Sequence, residues 1–294
     1  MTGSASNDVR MHETPDRSSS AFGLAPGSSA SLTVISLGAG VQSSTLALMA
    51  AKGQIHPMPQ LAIFADTQAE PGDVYAYLET LEKLLPFPVM RVTQGSLEIE
   101  TLRTWRKKDG QTTVKSSLPT WVMANGESKP LMRKCTLDFK VRPIMRHLRQ
   151  IRQGRPVEQW IGISLDEAHR MKDAQKPWLT NRWPLIEARM NRNDCLRWLE
   201  ANGYPKPPRS ACVFCPYHSD AEWRRLRDNQ PAAWQHAIDF ERRMHSAYKH
   251  HQTAKHVPYL HRSCVPLEQV DLTTEEDRGQ ASLWGNDCTG ICGV

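Results

Sequence analysis

Four short apolar segments alternate with helical patterns, and this alternation constrains the fold more than any other feature. The segments are rich in β-branched or aromatic residues and span 32–37, 60–66, 87–93 and 158–164. Between the second and third, residues 72–86 carry apolar side chains at helical spacing and end at a proline. Strand, helix and strand in this order predict an α/β fold, with an open, mostly parallel sheet and helices on both faces.

The remaining segments predict a less regular arrangement. Residues 139–153 have a helical pattern, whereas residues 94–134 contain several turn signals and predict a lid or an insertion. Residues 219–251 predict one or two helices with a break at Pro231. Residues 1–30 are rich in Ser and Gly with few large apolar groups, which is typical of a disordered tail.

Composition limits the classes of partner. No run of apolar residues is long enough to span a membrane and no secretion signal is visible, so we expect a cytoplasmic protein that does not bind membranes. The net charge of +6 permits a polyanionic partner such as nucleic acid. The basic clusters "TWRKKDG", "RPIMRHLRQIRQGR" and "EWRRLRD" are more typical of solvated helix faces than of a nucleic-acid groove. Stacking of tryptophans on bases is the less favoured hypothesis.

The segment 38–44 has the features of an anion-binding loop. Gly38 and Gly40 permit a tight turn and the close approach of a ligand, and Ser43 and Ser44 lie where a helix is expected to begin and can cap it. Backbone N–H groups and the positive end of the helix dipole would then favour a phosphate or sulfate group. Neither a Walker loop nor a dinucleotide fingerprint is complete here, so a glycine turn that binds no ligand is the alternative.

Polar residues also follow two other predicted strands. "SLGAGVQSS", "ADT" and "GISLDEAHR" end the strands that begin at 32, 60 and 158. Ligands of open parallel sheets bind beyond the carboxyl ends of the strands, so these segments are expected to meet at one site. Their convergence favours a nucleotide as the ligand.

The cysteine pattern predicts a metal or redox site. The chain has seven cysteines, an odd number that argues against a disulfide framework. Cys212 and Cys215 form a C-x-x-C pair, which is typical of half of a zinc site, half of an iron–sulfur site or a redox pair. Unligated thiols that only pack are the alternative, and Cys195 is expected to be such a thiol. The candidates for further ligands are Cys135, His218, Cys264, Cys288 and Cys292.

These motifs in this order resemble the phosphoadenosine phosphosulfate reductase family of the adenine-nucleotide α-hydrolase (PP-loop) superfamily. "SLGAGVQSS" is similar to the phosphate loop of that family, and "FADT" to its second-strand acidic turn. "RKCTLDFKVRPI" looks like its cysteine followed by a K-x-x-P helix, and "GISLDEAHR" resembles its G-x-R-x-x-E-x-x-R segment. "RWPLIEARMNRNDCLRWLEANGYP" is similar to the Pro-Leu helix that precedes a C-x-x-C pair. The resemblance covers about residues 32–217.

The resemblance implies a nucleotide-binding domain over 31–205, followed by a cysteine-containing helical region with a mobile tail over 206–294. It implies that Cys135, Cys212 and Cys215 hold a [4Fe–4S] cluster, with zinc as the alternative and the fourth ligand open. It implies that Cys288 and Cys292, on the tail, act as catalytic thiols. The residues expected to bind the adenine nucleotide are Gly38, Ala39, Gly40, Gln42, Ser43, Ser44, Asp66, Gly162 and Arg170.

Two positions depart from the family pattern. The iron–sulfur branch has two adjacent cysteines where this chain has Lys134 and Cys135. ATP-cleaving relatives carry an acid that helps to hold magnesium where this chain has Gln42, and a neutral amide cannot replace that charge, although Asp66 could serve. Sulfonucleotide reductases need no such metal.

The sequence is therefore compatible with three functions. The first is a thiol-dependent reductase of an adenylylated sulfate, in which Cys288 or Cys292 attacks sulfur and a thioredoxin-like reductant releases sulfite. The second is an ATP-dependent sulfurtransferase that acts on tRNA or DNA; the basic clusters and tryptophans favour it and Gln42 opposes it. The third is an inactive nucleotide-binding module of a larger assembly.

Overall fold

The structure is a computed structural model that describes residues 31–114, 117–250 and 256–273. The tail predicted over residues 1–30, and Cys288 and Cys292 with the segment that carries them, lie outside the described residues.

A five-stranded parallel sheet forms the centre of the described part of the chain. Its strands are β1 (Leu32–Leu37), β2 (Leu61–Asp66), β3 (Val89–Thr93), β8 (Val157–Ile161) and β9 (Leu179–Arg182). They lie in the order β3-β2-β1-β8-β9. The predicted open, parallel α/β sheet is therefore confirmed. The predicted strand over 158–164 ends earlier, and β9 was not predicted.

Helices cover both faces of the sheet. They are α1 (Val41–Ala51), α2 (Gly72–Leu84), α4 (Arg142–Ile151) and α6 (Arg192–Ala201), and a π-helical turn (Thr136–Val141) leads directly into α4. Successive residues of a strand point to opposite sides of the sheet. Ile35 of β1 accordingly packs in one core with α1, α2 and α6, whereas Val34 packs on the other face against α4. Burial on both faces explains why the inner strands are almost uniformly apolar.

The segment predicted as a lid or insertion contains a short helix and two β-hairpins. The elements are α3 (Leu97–Leu102), β4 (Thr104–Arg106) paired with β5 (Thr112–Val114), and β6 (Trp121–Ala124) paired with β7 (Glu127–Pro130). Helix α3 begins after Ser96, whose hydroxyl accepts a hydrogen bond from the Ile99 amide (3.3 Å). The basic cluster "TWRKKDG" forms a hairpin, so the interpretation of this cluster as a solvated helix face is wrong.

The C-terminal part is helical, as expected. Two helices pack on each other and break at Pro231, the residue that begins the second of them. The buried carboxylate of Glu241 accepts hydrogen bonds from the amides of Leu260 (2.8 Å) and Leu267 (2.6 Å), which fastens the last described segment to this pair. The remaining helices are α5 (Pro184–Glu187), α7 (Asp220–Asn229) and α8 (Pro231–His250), with short 3-10 helices over Leu165–Arg170 and Leu267–Gln269. No helix within the described ranges is long and apolar enough to cross a membrane.

Candidate active site

The loop between β1 and α1 is shaped by Ala39 and Ser43. Ala39 is buried and has φ of 55°, so the left-handed residue of the turn is an alanine and the prediction that the two glycines make the tight turn is wrong in this respect. The Ser43 hydroxyl accepts a hydrogen bond from the Gly38 amide (3.1 Å) and donates one to the Gly40 carbonyl (3.3 Å). These two hydrogen bonds hold the loop in shape through its own residues.

Helix α1 begins earlier than predicted. Gly40 is the N-cap and no side chain caps it, so Ser43 and Ser44 lie inside the first turn and the prediction that they cap the helix is wrong. Ser44 is fully buried. The first amides of an α-helix have no acceptor within the helix, and they carry the positive end of its dipole. The start of α1 therefore suits an anion, as the sequence predicts.

Gly162 fixes where α1 starts. It follows β8, and a Cβ atom at this position would lie 2.8 Å from both the N and the Cα atom of Ser43. Real Cβ contacts are almost never this short, so only glycine allows the end of β8 and the first turn of α1 to approach this closely. Gly162 therefore packs directly against the backbone of the first turn of α1, and it also lines the cavity described next.

A cavity of about 500 Å³ lies beyond the carboxyl ends of β1, β2 and β8, and we call it the anion cavity. This volume is within the usual range for small-molecule sites. Of the predicted nucleotide-binding residues, Gly38, Gly40, Gln42, Ser43, Gly162 and Arg170 line it. Ala39, Ser44 and Asp66 do not. Residues 206–210 and, from the start of α7, Ser219, Ala221, Glu222 and Arg225 also line it. The cavity therefore draws on both sides of the predicted domain boundary at 205/206.

Positive charge dominates the anion cavity. Among the described residues, its walls carry six cationic side chains and only two carboxylates, those of Glu167 and Glu222. Glu167 pairs with Arg170 (2.8 Å), and burial raises the pKa of its carboxyl above the usual range. Glu222 pairs with Arg225 (2.8 Å). Both carboxylates therefore orient arginines and leave the cavity with an excess of positive charge. The six cations are Lys140, Arg170, Arg192, Lys206, Arg209 and Arg225.

The amide of Gln42 joins three segments. Its Oε1 accepts a hydrogen bond from Arg192 Nη1 (3.0 Å), and its Nε2 lies 3.4 Å from Ser164 Oγ, near the limit for a hydrogen bond. Asp66, the acid that could replace the missing charge, accepts hydrogen bonds from the Tyr75 hydroxyl (2.8 Å) and the Gln68 amide (2.7 Å). Burial, together with Asp66, raises the pKa of the Tyr75 hydroxyl, so this hydroxyl remains a hydrogen-bond donor.

The three predicted metal-binding cysteines lie together. Cys135, Cys212 and Cys215 line a second, smaller cavity of about 30 Å³, which we call the cysteine cavity. Cys135 precedes the π-helical turn, and its amide donates to the Ser117 carbonyl (2.8 Å). The Cys212 thiol and the Thr67 hydroxyl are hydrogen-bonded (3.3 Å), and burial raises the pKa of this thiol. Burial therefore disfavours the thiolate form of Cys212.

The residue types around the cysteine cavity suit a thiophilic metal, but their arrangement is not that of a preformed site. No group of three or more His, Cys, Asp or Glu side chains within the described ranges is placed to hold a metal ion. His218, another candidate ligand, turns its Nε2 to the Cys212 carbonyl (2.9 Å), and burial lowers the pKa of its imidazole to about 3. Cys264 Sγ lies 3.4 Å from Ser128 Oγ. Neither residue lines the cysteine cavity.

Lys140 connects the two cavities, because it lines both. It lies one turn beyond Cys135, and its ammonium group lies 3.3 Å from the Glu70 carboxylate, whose side chain is buried. The sequence contains this lysine within the K-x-x-P motif, but the motif alone did not identify it as a site residue. Glu167 lies in the quoted segment "GISLDEAHR" but was not named as a site residue. The cavity residues that sequence reasoning missed come from distant segments: Arg192, Lys206, Arg209, Glu222 and Arg225.

A scan against protein-family models finds no match, and a search of curated proteins finds no significant one. Among solved structures, the chain is similar to the crystal structure of phosphoadenylyl-sulfate (PAPS) reductase from Candida auris in a phosphate complex. The two chains are 12% identical, with a TM-score of 0.35, and the match covers 60% of this chain and 75% of the other. A similarity at this level says nothing about the chemistry of the site.

Proposed function

We propose that the anion cavity binds an adenine nucleotide and that the protein reduces an adenylylated sulfate with a thiol. The observation that carries the proposal is the anion cavity itself, in which six cations and the start of α1 surround one space of suitable volume. The assignment of adenine as the base, and of sulfur chemistry as the reaction, rests on the motif resemblance. Lys140 supports the sulfur part, because it places a cation between the anion cavity and the cysteines.

Within this proposal the backbone and the arginines stabilise charge. The amides at the start of α1 bind the phosphate or sulfate group, and Arg170 is held towards the same cavity by Glu167. As the bond between phosphate oxygen and sulfur breaks, negative charge grows on the leaving AMP. Preorganised donors stabilise such charge better than water does, because they need no reorganisation.

The thiol chemistry is assigned to the tail. A thiolate of Cys288 or Cys292 attacks the sulfonyl sulfur, AMP leaves with the electron pair of the broken S–O bond, and the cysteine becomes a thiosulfonate. A thioredoxin-like dithiol then supplies two electrons, releases sulfite and becomes a disulfide. Both cysteines lie outside the described residues, so their role stays a prediction.

A metal centre at the cysteine cavity is part of the proposal. Cys135, Cys212 and Cys215 would hold a [4Fe–4S] cluster or zinc, both of which are bound by thiolates. Anaerobic purification with iron, sulfide and zinc analysis tests this part, and a protein that contains neither metal would contradict it.

An ATP-dependent sulfurtransferase for tRNA or DNA is the second candidate. The basic β4–β5 hairpin, whose Trp105 is exposed, favours it. Gln42 argues against it, because this amide stands where a magnesium ligand is expected and is bonded to Arg192. An inactive nucleotide-binding module is the remaining alternative.

One assay separates these functions. Whole protein and a variant lacking residues 286–294 are given adenylylated sulfate with a thiol donor, or ATP with bulk tRNA. If sulfonucleotide reduction is the reaction, the deletion removes sulfite release but spares nucleotide affinity, since the tail supplies the nucleophile and not the pocket. Full sulfite release without the tail would refute its role. Release of AMP and pyrophosphate from ATP would favour the transferase, and inactivity of the whole protein on both substrates would favour the inactive module.

A further inference from the structure

The β4–β5 hairpin presents an aromatic ring among cations on the surface. Trp105 is 42% exposed, a large value for a tryptophan, and Arg106, Lys107 and Lys108 are exposed beside it. The Arg103 guanidinium lies over the indole ring, with 4.9 Å between its Cζ and the ring centroid. We call these five residues the hairpin patch.

Three hydrogen bonds hold the backbone of the hairpin turn. The Lys107 amide donates to the Gln111 carbonyl (2.7 Å), the Gly110 amide donates to the Lys107 carbonyl (3.0 Å), and Asp109 accepts from the Gln111 amide (3.0 Å). Arg103 forms an ion pair with Glu100. Within the part of the chain that the structure describes, no ion pair joins Arg106, Lys107 or Lys108 to a carboxylate. Their charge is therefore directed to solvent and to whatever binds there.

The segments that precede and follow the hairpin contribute to the cysteine cavity. Helix α3, which precedes the hairpin, begins at Leu97, and Leu118 follows the hairpin in the chain; both side chains line the cysteine cavity. The Leu97 amide also donates to the Thr67 carbonyl (3.0 Å), which anchors this end to the segment that follows β2.

We propose that the hairpin patch binds single-stranded nucleic acid. Adjacent cations neutralise successive phosphates, and an exposed indole offers a face on which an unpaired base can stack. In a duplex the bases stay stacked on one another. The phosphates of a duplex would therefore contact the cations, but no base would stack on the Trp105 indole. The proposal concerns a second binding surface, and it does not depend on a nucleotide in the anion cavity or on the reaction proposed above.

The test measures fluorescence anisotropy of a labelled single-stranded oligonucleotide against whole protein at several salt concentrations. The variant with Lys107→Glu and Lys108→Glu is expected to weaken binding at least tenfold. It should also make the salt dependence shallower, by about 0.7 in the log–log slope for each phosphate that the variant no longer neutralises. Trp105→Ala is expected to weaken binding about tenfold with little change in the salt slope, because base stacking depends weakly on salt.

Matched controls separate the proposal from general charge effects and from misfolding. Lys172→Glu with Lys176→Glu makes the same charge change on another exposed segment and is expected to lower affinity only slightly. Trp105→Phe keeps an aromatic face and is expected to retain most of the affinity, and heparin binding should survive Trp105→Ala. Unchanged affinity in Trp105→Ala, an equal loss in the control pair, or a duplex preferred over the single strand would overturn the proposal.

Discussion

The anion cavity and the cysteine cavity share Lys140 but are prepared for their ligands in different ways. The anion cavity is open, charged and braced by hydrogen bonds and ion pairs among its own residues, such as the Ser43 hydroxyl and the Glu167–Arg170 pair. The cysteine cavity is narrow, and burial raises the pKa of its Cys212 thiol. Backbone and ion pairs can build an anion site without the ligand, whereas thiols become metal ligands only as they lose protons.

A substitution in one cavity should therefore leave ligand binding in the other cavity intact. We expect the largest loss of metal binding and turnover when a thiol of the cysteine cavity is removed. Cys212→Ser is expected to abolish metal binding and turnover while it leaves nucleotide affinity unchanged, because the lost group lines only the cysteine cavity. Metal analysis, turnover and calorimetry check the three parts. Cys195→Ser is the matched control, since this buried thiol lies in the core beside α1. Equal metal content in Cys212→Ser and wild type would contradict the assignment.

Gly162→Ala tests ligand binding in the anion cavity. The added Cβ would lie 2.8 Å from the Ser43 backbone, so the start of α1 must shift. We expect nucleotide affinity to fall at least tenfold and the free energy of unfolding to fall by about 1–3 kcal/mol, as for other overpacked sites.

The control for this change is Gly72→Ala at the start of α2, where a Cβ meets nothing within 4 Å. Calorimetry and urea denaturation measure the two quantities. Nucleotide affinity that is equal in Gly162→Ala and Gly72→Ala would show that the α1 loop is not the binding element.

The smallest expected effect concerns the pH dependence of stability. Burial raises the pKa of Glu167 above the unfolded value of 4.5, so over the range just above pH 4.5 the folded chain keeps a proton that the unfolded chain loses. The ionised carboxylate is the less favoured form in the folded chain, so Glu167 subtracts stability as the pH rises through this range. Glu167→Gln removes that contribution.

Urea denaturation at a series of pH values measures this contribution. Relative to wild type, Glu167→Gln should lose less stability between pH 4.5 and neutrality. Glu79→Gln, which replaces an exposed carboxylate on α2, serves as the matched control. A variant curve parallel to wild type would show that Glu167 is not desolvated.

The sequence was most informative where side chains are buried on both faces of the sheet. Residues such as Ile35 and Ile63 made the inner strands visible as apolar runs. The edge strand β9 was missed because "LTNR" is short and mostly polar. The β4–β5 hairpin was also missed, although Asp109-Gly110 between "TWR" and "TTV" is a recognised hairpin signal.

The candidate site was predicted only in part, because some of its residues belong to local motifs and others come from distant segments of the chain. The α1 loop and Gly162 are local motifs, so their sequence reveals them. Arg192 and Arg209 reach the anion cavity from segments far along the chain, and only the packing of α6 and of the segment before α7 brings them there. The dihedral angle of Ala39 also has no sequence signal, since alanine rarely takes a left-handed conformation.

Nucleotide binding in the anion cavity is tested by calorimetric titration of the whole wild-type protein with an adenylylated sulfate, repeated in excess inorganic phosphate. We expect one site per chain and a weaker apparent affinity in phosphate, because both ligands compete for the start of α1 and the cations around it. Absence of binding, or an affinity that phosphate does not change, would contradict the assignment of the anion cavity as the nucleotide site.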